Sequence, residues 1–311
     1  MDRLRQTDWR SDTVPHLVLG TVQLGMPYGV ANISGQPDES QAVSLVQAAY
    51  EEGVRLFDTA QAYGQSEQVL GQCLRELGLA DRVLVETKFN PDLDPGDGAA
   101  LTASVNASLE RLGVDRLWCM MLHREQWLDR WDGPLGEVFC RAKADGVIKH
   151  CGVSVYDLQR AWQVCEMDTV DVVQLACNAW DRTPVESGLL EALNSSGKLC
   201  LVRSVFLQGA LTFDTQSAAR RAPWLQAASQ QWNALAEELG LSPAELAVAF
   251  ASSLDLPLVI GAERAAQVRQ TARWMRRPVV DASLNEKLRQ RLGDLPQRCV
   301  NPSLWPKAPA R

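Results

Sequence analysis

The sequence predicts a single (β/α)8 TIM barrel, and three observations carry that reading. Eight short runs of branched apolar residues alternate with longer stretches of helical period, the pattern of βα units wound around a parallel sheet. Neither a break in composition nor a Gly/Ser linker divides residues 16–295. The 311 residues would divide into two domains of about 150, but they suit one barrel equally, a fold that runs from roughly 200 to over 400 residues.

The strands are expected to begin near Leu17 (LVLGTV), Val54 (VRLFD), Val83 (VLVETK), Leu117 (LWCMMLH), Val147 (VIKHCGVSV), Asp171 (DVVQLAC), Leu199 (LCLVRSV) and Pro257 (PLVIG), each followed by a helical segment. Behind the second strand, Val69, Leu70, Cys73, Leu74 and Leu77 form an i, i+3/i+4, i+7 stripe that packs a helix on the sheet. Helix starts carry their own chemistry. Thr183-Pro184-Val185-Glu186 and Ser242-Pro243-Ala244-Glu245 each combine a hydroxyl cap, Pro at the first helical position and Glu three residues after the cap. Asp38 and Ser283 mark weaker starts, the second opening a C-terminal helix. The seventh connection, Gln208 to Leu254, has room for an extra helix around Trp224 to Leu239. Residues 1–15 read as an N-terminal extension and 296–311 as a C-terminal tail, both polar or Pro-rich and expected on the outside.

Hydrophobic residues at 46% and charged residues at 22% exclude a disordered chain and supply a large core. A net charge of −7, with no block of Lys and Arg, gives nucleic acid no electrostatic footprint. No apolar run approaches the roughly 18 residues that cross a bilayer, and Met1 to Arg10 lacks the apolar core of a secretory signal. A cytoplasmic protein without a membrane partner is expected, its oligomeric state open. The eight cysteines include no CxxC pair and read as reduced, small core residues.

In this fold the βα loops form the active face, so chemistry-bearing residues should stand at strand ends. Strand two ends at Asp58, Tyr63 follows in DTAQAYG, strand three ends at Lys88 and strand four at His123. Alone, each has a plain explanation as a cap, a packed ring, a solvated head or a structural imidazole. Together they fit hydride delivery to a carbonyl, where charge on the oxygen must be stabilised and protonated as it forms. Tyr63 would supply the proton, Lys88 would make its phenolate more accessible, Asp58 would hold Lys88, and His123 would orient the carbonyl. His150, inside strand five, reads as structural. Only one His reaches the mouth and no carboxylate pairs with it at ligand spacing, so no metal site is expected.

The run Phe57-Asp58-Thr59-Ala60-Gln61-Ala62-Tyr63-Gly64-Gln65-Ser66-Glu67, followed by Leu70-Gly71, resembles the signature of the aldo-keto reductases, with Lys88 and His123 where that superfamily has its other two catalytic residues. The resemblance extends from about His16, through LGTVQLGMPYG, to the helix after Gly261. It implies a barrel that reduces aldehydes or ketones, or oxidises the alcohols, with a nicotinamide cofactor and no metal. It also implies that Ser154 and Gln174 hold the nicotinamide carboxamide, with Asn178 at a further family position; Val155 stands where many relatives have Asn. Arg203 to Leu211, with Ser204, Phe206, Leu207, Gln208 and Gly209, resembles the segment that embraces the pyrophosphate. Gly261, Glu263, Arg264 and Gln267 resemble the loop at the adenosine ribose. NADP is expected from the family habit, NAD being favoured if Glu263 rather than Arg264 faces the ribose.

The missing GxGxxG is no objection in this fold, and Gly20 to Gly25 continues with Met26 instead of the Lys of a P-loop. Gln23 on that loop, Tyr28 and Trp127 are expected to meet a small carbonyl or sugar-like substrate. Trp131, Phe57, Trp180 and Trp224 are further candidates for an aromatic wall. The alternative from another class is a cofactor-binding subunit that senses redox state with little turnover.

Overall fold

The computed structural model describes residues 3–277 and 283–306. Its first element is a hairpin, β1 (Gln6–Trp9) and β2 (Asp12–Pro15), paired antiparallel. Eight parallel strands follow: β3 (Leu17–Gly20), β4 (Leu56–Asp58), β5 (Leu84–Lys88), β6 (Leu117–Leu122), β7 (Ile148–Val155), β8 (Val172–Ala176), β9 (Leu199–Arg203) and β10 (Leu258–Gly261). They pair in sequence order, and β10 closes on β3. The (β/α)8 expectation is met, and each strand lies within or beside the apolar run that predicted it.

Strand alternation separates two layers of core. Side chains facing outward pack against the helices in one large apolar cluster, into which the stripe Leu70, Cys73 and Leu74 of the helix Ser66–Glu76 is buried. Inward side chains at the N-terminal ends form a second cluster, with Val18, Leu56, Trp118, Val172, Leu199 and Val259 around Val14 of the hairpin. The N-terminal segment thus floors the barrel. Asp12 accepts hydrogen bonds from Trp118 Nε1 (3.1 Å), His150 Nε2 (2.7 Å) and Lys149. His150 lies between the rings of Trp9 and Trp118, as a structural histidine should.

Ser242 caps the helix Pro243–Ser252, accepting from Glu245 N at 3.2 Å, and Asp38 with Gln41 forms a full capping box. Thr183 departs from expectation. Asp181 captures its hydroxyl at 2.7 Å, so Thr183 is the first residue of a four-residue helix, Thr183–Glu186, and caps nothing. The long seventh connection holds two helices before Ser242, Thr215–Arg221 and Gln226–Glu238, and Trp224 lies just ahead of the second. The helix Ser283–Leu292 is present. All eight cysteines are free, but Cys140 is exposed and Cys165 half-buried, because both sit on helices toward solvent rather than in strands. Among the described residues no helix is long and apolar enough to cross a membrane.

Candidate active site

Three neighbouring strands deliver the polar centre. In β5, alternation turns Glu86 and Lys88 into the barrel and Thr87 outward, where its hydroxyl donates to Glu67 at 2.7 Å. Lys88 is fully buried; its ammonium donates to Asp58 at the end of β4 and to the Thr59 carbonyl at 3.0 Å. Tyr63 stands on a tight turn: its N–H donates to Ala60 O and its carbonyl accepts from Ser66 N, both at 3.0 Å. Gly25 lets the loop after β3 press against that turn, since a Cβ there would lie 1.7 Å from the Tyr63 oxygen. The Lys88 nitrogen is 5.3 Å from the centre of the Tyr63 ring, and His123 meets that ring edge-on at 5.6 Å. The four residues separated along the chain are therefore gathered at one end of the barrel.

A fifth group went unnoticed in the sequence. Glu86, without exposed surface, lies beside Asp58, and Gln174 bridges the two carboxyls, its amide nitrogen donating to Asp58 at 2.9 Å and to Glu86 at 3.1 Å. Its spacing was the available signal, because a residue two before an inward Lys is itself inward.

The electrostatics follow from burial. Removal from water pushes the Tyr63 phenol up to about 12; Lys88 pulls against this and Asp58 adds to it. Burial works against the Lys88 ammonium, but Asp58, then Tyr63 and Glu86, outweigh it and hold it above its ordinary value. Burial, followed by the Lys88 charge, pushes His123 down to about 4, so its imidazole is neutral at neutral pH. Glu86 is raised well above the carboxylate range by burial and then by Asp58. One full ion pair, Asp58 with Lys88, thus sits among three neutral groups.

Above this centre a cleft of about 340 Å³ runs across the barrel mouth. Asp58 and Tyr63 line it with Ser154 and Gln174 at one end; Ser204, Phe206, Gln208 and Gly209 form a wall; and Gly261, Glu263 and Gln267 border the far end. Lys88 is sealed beneath it and His123 flanks Tyr63. The wall is wound tightly: Ser204, Leu207, Gln208 and Gly209 all have positive φ. Only glycine fits at 209, where a Cβ would lie 2.3 Å from the Ala31 methyl of the crossing loop. Gln23 and Tyr28 line the cleft from that side. The Gln23 carbonyl oxygen is buried without a partner.

Other expected contacts lie elsewhere. Leu207 is buried in the outer core. Asn178 closes a turn, accepting from Trp180 N (2.9 Å) and Asp181 N (3.1 Å). Arg264 is turned to the Ser34 hydroxyl at 2.6 Å, whereas Glu263 faces the cleft. Trp127 packs on Phe89 at 6.1 Å and Trp131 stacks on Phe139 at 5.0 Å, since their loop folds back over the outer core. Phe57 and Trp180 are core residues, and Trp224 packs against Trp305. The aromatic residues of the wall are instead Tyr28, as expected, and Tyr156, which the sequence did not suggest; Arg203 is also in the lining. Among the described residues no group of three or more His, Cys, Asp or Glu forms a metal-binding cluster.

The chain can be set beside known proteins. It is 28% identical over 202 residues to an aldo-keto reductase of Bacillus subtilis, a match that takes in 58% of this chain and 57% of that protein's length. It is 26% identical over 292 residues to a D-threo-aldose 1-dehydrogenase of a Pseudomonas species, covering 79% of this chain and 88% of the relative. Among solved structures, an aldo/keto reductase of Klebsiella pneumoniae in complex with NADP and acetate superposes with a TM-score of 0.68 at 24% identity, over 92% of this chain and 94% of that one. The model of the aldo/keto reductase family matches residues 16–289. With the closed eight-stranded barrel beneath it, that match makes the chain a member of the aldo/keto reductase family.

Proposed function

We propose that the barrel, residues 16–295, reduces an aldehyde or ketone to the alcohol with NADPH, or runs the reverse oxidation, with Tyr63 as the general acid or base. The segments 1–15 and 296–311 flank this catalytic unit. The observation that carries the reading is Tyr63 lining the cleft with a neutral imidazole at its edge and a buried ammonium beside its ring. A bound nicotinamide supplies the hydride. The protein's part is the oxygen: Tyr63 releases its proton to it, the Lys88 ammonium stabilises the phenolate left behind, and His123 donates a second hydrogen bond through a ring N–H. Asp58 keeps Lys88 charged and fixed.

The cleft suits a dinucleotide in length and lining, since it runs well past Tyr63 to residues at the start of the helix Ala265–Met275. Ser154 and the carbonyl of Gln174, whose amide nitrogen is committed to the two carboxyls, would hold the carboxamide. The backbone of 204–209 would meet the diphosphate, and Glu263 with Gln267 the adenosine ribose. The relative solved with NADP supports that cofactor; Glu263 in the cleft lining, with Arg264 turned to Ser34, weighs toward NAD, the second choice. A relative acting on an aldose supports a small carbonyl or sugar-like substrate.

Tyr63→Phe tests the reading. The expected result is a kcat lower by about 10²-fold or more for aldehyde reduction, with NADPH affinity, read by fluorescence titration, within about threefold of the wild type. Near-normal turnover removes Tyr63 from the role. A wild type that binds NADPH yet turns over no aldehyde, ketone or sugar points to the sensing subunit instead.

A further inference from the structure

Glu86 has no part in the chemistry above, yet it sits at the centre of it without exposed surface. Strand register sets it beside Asp58 on β4 and Cys119 on β6. Its carboxyl is in hydrogen-bonding contact with that of Asp58, and its Oε1 accepts from Gln174 Nε2 at 3.1 Å. Among the described residues no N–H or O–H group reaches its Oε2, which is buried.

The charges around it fix its form. Asp58 faces it from β4, Lys88 from its own strand with Tyr63 beyond, and Cys119 from β6 with a thiol that burial keeps protonated; β8 contributes the uncharged Gln174. The single cation among them, Lys88, donates to Asp58 and to the Thr59 carbonyl, not to Glu86. Two buried anions on one cation cost more than one anion and one acid. A proton on Oε2 also resolves the orphaned oxygen: it becomes a donor, and Asp58 is the acceptor in contact.

That hydrogen bond joins two parts of the site. Gln174 donates to Asp58 at 2.9 Å as well, so Asp58, Glu86 and Gln174 close a ring of three contacts. Asp58 holds Lys88, whose nitrogen lies beside the Tyr63 ring. Gln174 spends its N–H groups on the two carboxyls, which leaves its carbonyl for the nicotinamide carboxamide. We infer that Glu86 is a positioning residue for the hydride-transfer step, an un-ionised acid that donates to Asp58 and accepts from Gln174, and so fixes the counter-ion of Lys88 and the seat of the nicotinamide as one unit. The inference rests on the carbonyl-reduction reading above.

The test compares the wild type with Glu86→Met, which offers neither donor nor acceptor, and with Glu86→Gln, which offers both in the same shape. For the reduction of glyceraldehyde by NADPH, Glu86→Met is expected to lower kcat about tenfold or more with the KM for glyceraldehyde within about threefold, and Glu86→Gln to restore most of the loss. Wild-type kcat in Glu86→Met overturns the inference, as does a loss carried by that KM or one that Glu86→Gln does not restore. Two measurements need no turnover. The infrared difference spectrum between the wild type and Glu86→Gln at neutral pH should show the C=O band of an un-ionised carboxyl. Glu86→Met should bind NADPH about threefold or more weaker than the wild type, with binding recovered in Glu86→Gln. Both results in a wild type that reduces no carbonyl compound leave Glu86 as the group that holds Gln174 and Asp58 together, and sink the reductase reading alone. A carboxylate band in place of the acid, beside normal turnover, sinks the inference alone.

Discussion

Glu86 brings a carboxyl into a space that already holds the Asp58–Lys88 pair, and with no water at hand it keeps its proton. The sign of its effect on stability follows. The native state holds a proton that the unfolded chain gives up above about 4.3, so native stability falls as pH rises from there toward the raised native value, by about 1.4 kcal/mol per unit. Glu86→Gln keeps the shape and cannot ionise. Urea melts at about pH 5, 6 and 7 should show the variant gaining on the wild type at each step; parallel curves would mean that Glu86 is ionised in the native state. The same reasoning ranks what the sequence disclosed at this scale. Asp58, Tyr63, Lys88 and His123 were legible because strand ends are easy to find and their chemistry coheres. Glu86 was not, since a charged residue in a strand reads as solvated until closure of the barrel shows which way it points. Trp127 misled for the opposite reason: its polar neighbours suggested an open loop, but its indole found Phe89.

At the level of elements, the eight barrel strands were visible because a strand sheathed by helices must be apolar, and apolar runs are the strongest local signal. The hairpin gave no such signal. QTDW and DTVP are short and polar, and what makes them strands is the floor they cover, assembled from residues far along the chain. Asp12 anchors that floor through Trp118, Lys149 and His150, its own carboxyl held low by these bonds against the opposing effect of burial. Asp12→Ala should cost about 3 kcal/mol by urea denaturation, because the buried His150 and the half-buried Lys149 lose their shared acceptor. Since the hairpin lies at the end opposite the cleft, kcat/KM should stay within about twofold of the wild type. A large loss of activity at full folding would mean that the two ends are coupled.

For the whole molecule, the proposed binding of a dinucleotide in the long cleft predicts a change in stability. A ligand that binds only the native state at a hundredfold excess over its Kd adds about 2.7 kcal/mol. Thermal shifts with NADPH and NADH therefore rank the two cofactors without any substrate. Glu263 lines the cleft while Arg264 is occupied by Ser34, so under the proposed assignment a carboxylate rather than a guanidinium would meet the ribose. Glu263→Ala should raise the Tm shift given by NADPH relative to that given by NADH; an unchanged ratio would show that Glu263 does not meet the ribose.

The floor of the barrel also orders assembly in time. Val14 rests among side chains from residue 18 to residue 259, so its seat is incomplete until the final strand has left the ribosome. The hairpin, synthesised before any barrel strand, must wait, unpaired with its destination, until the last of them is made, and it locks in place only when the ring shuts. An early chapter of the chain thus serves as the closing latch.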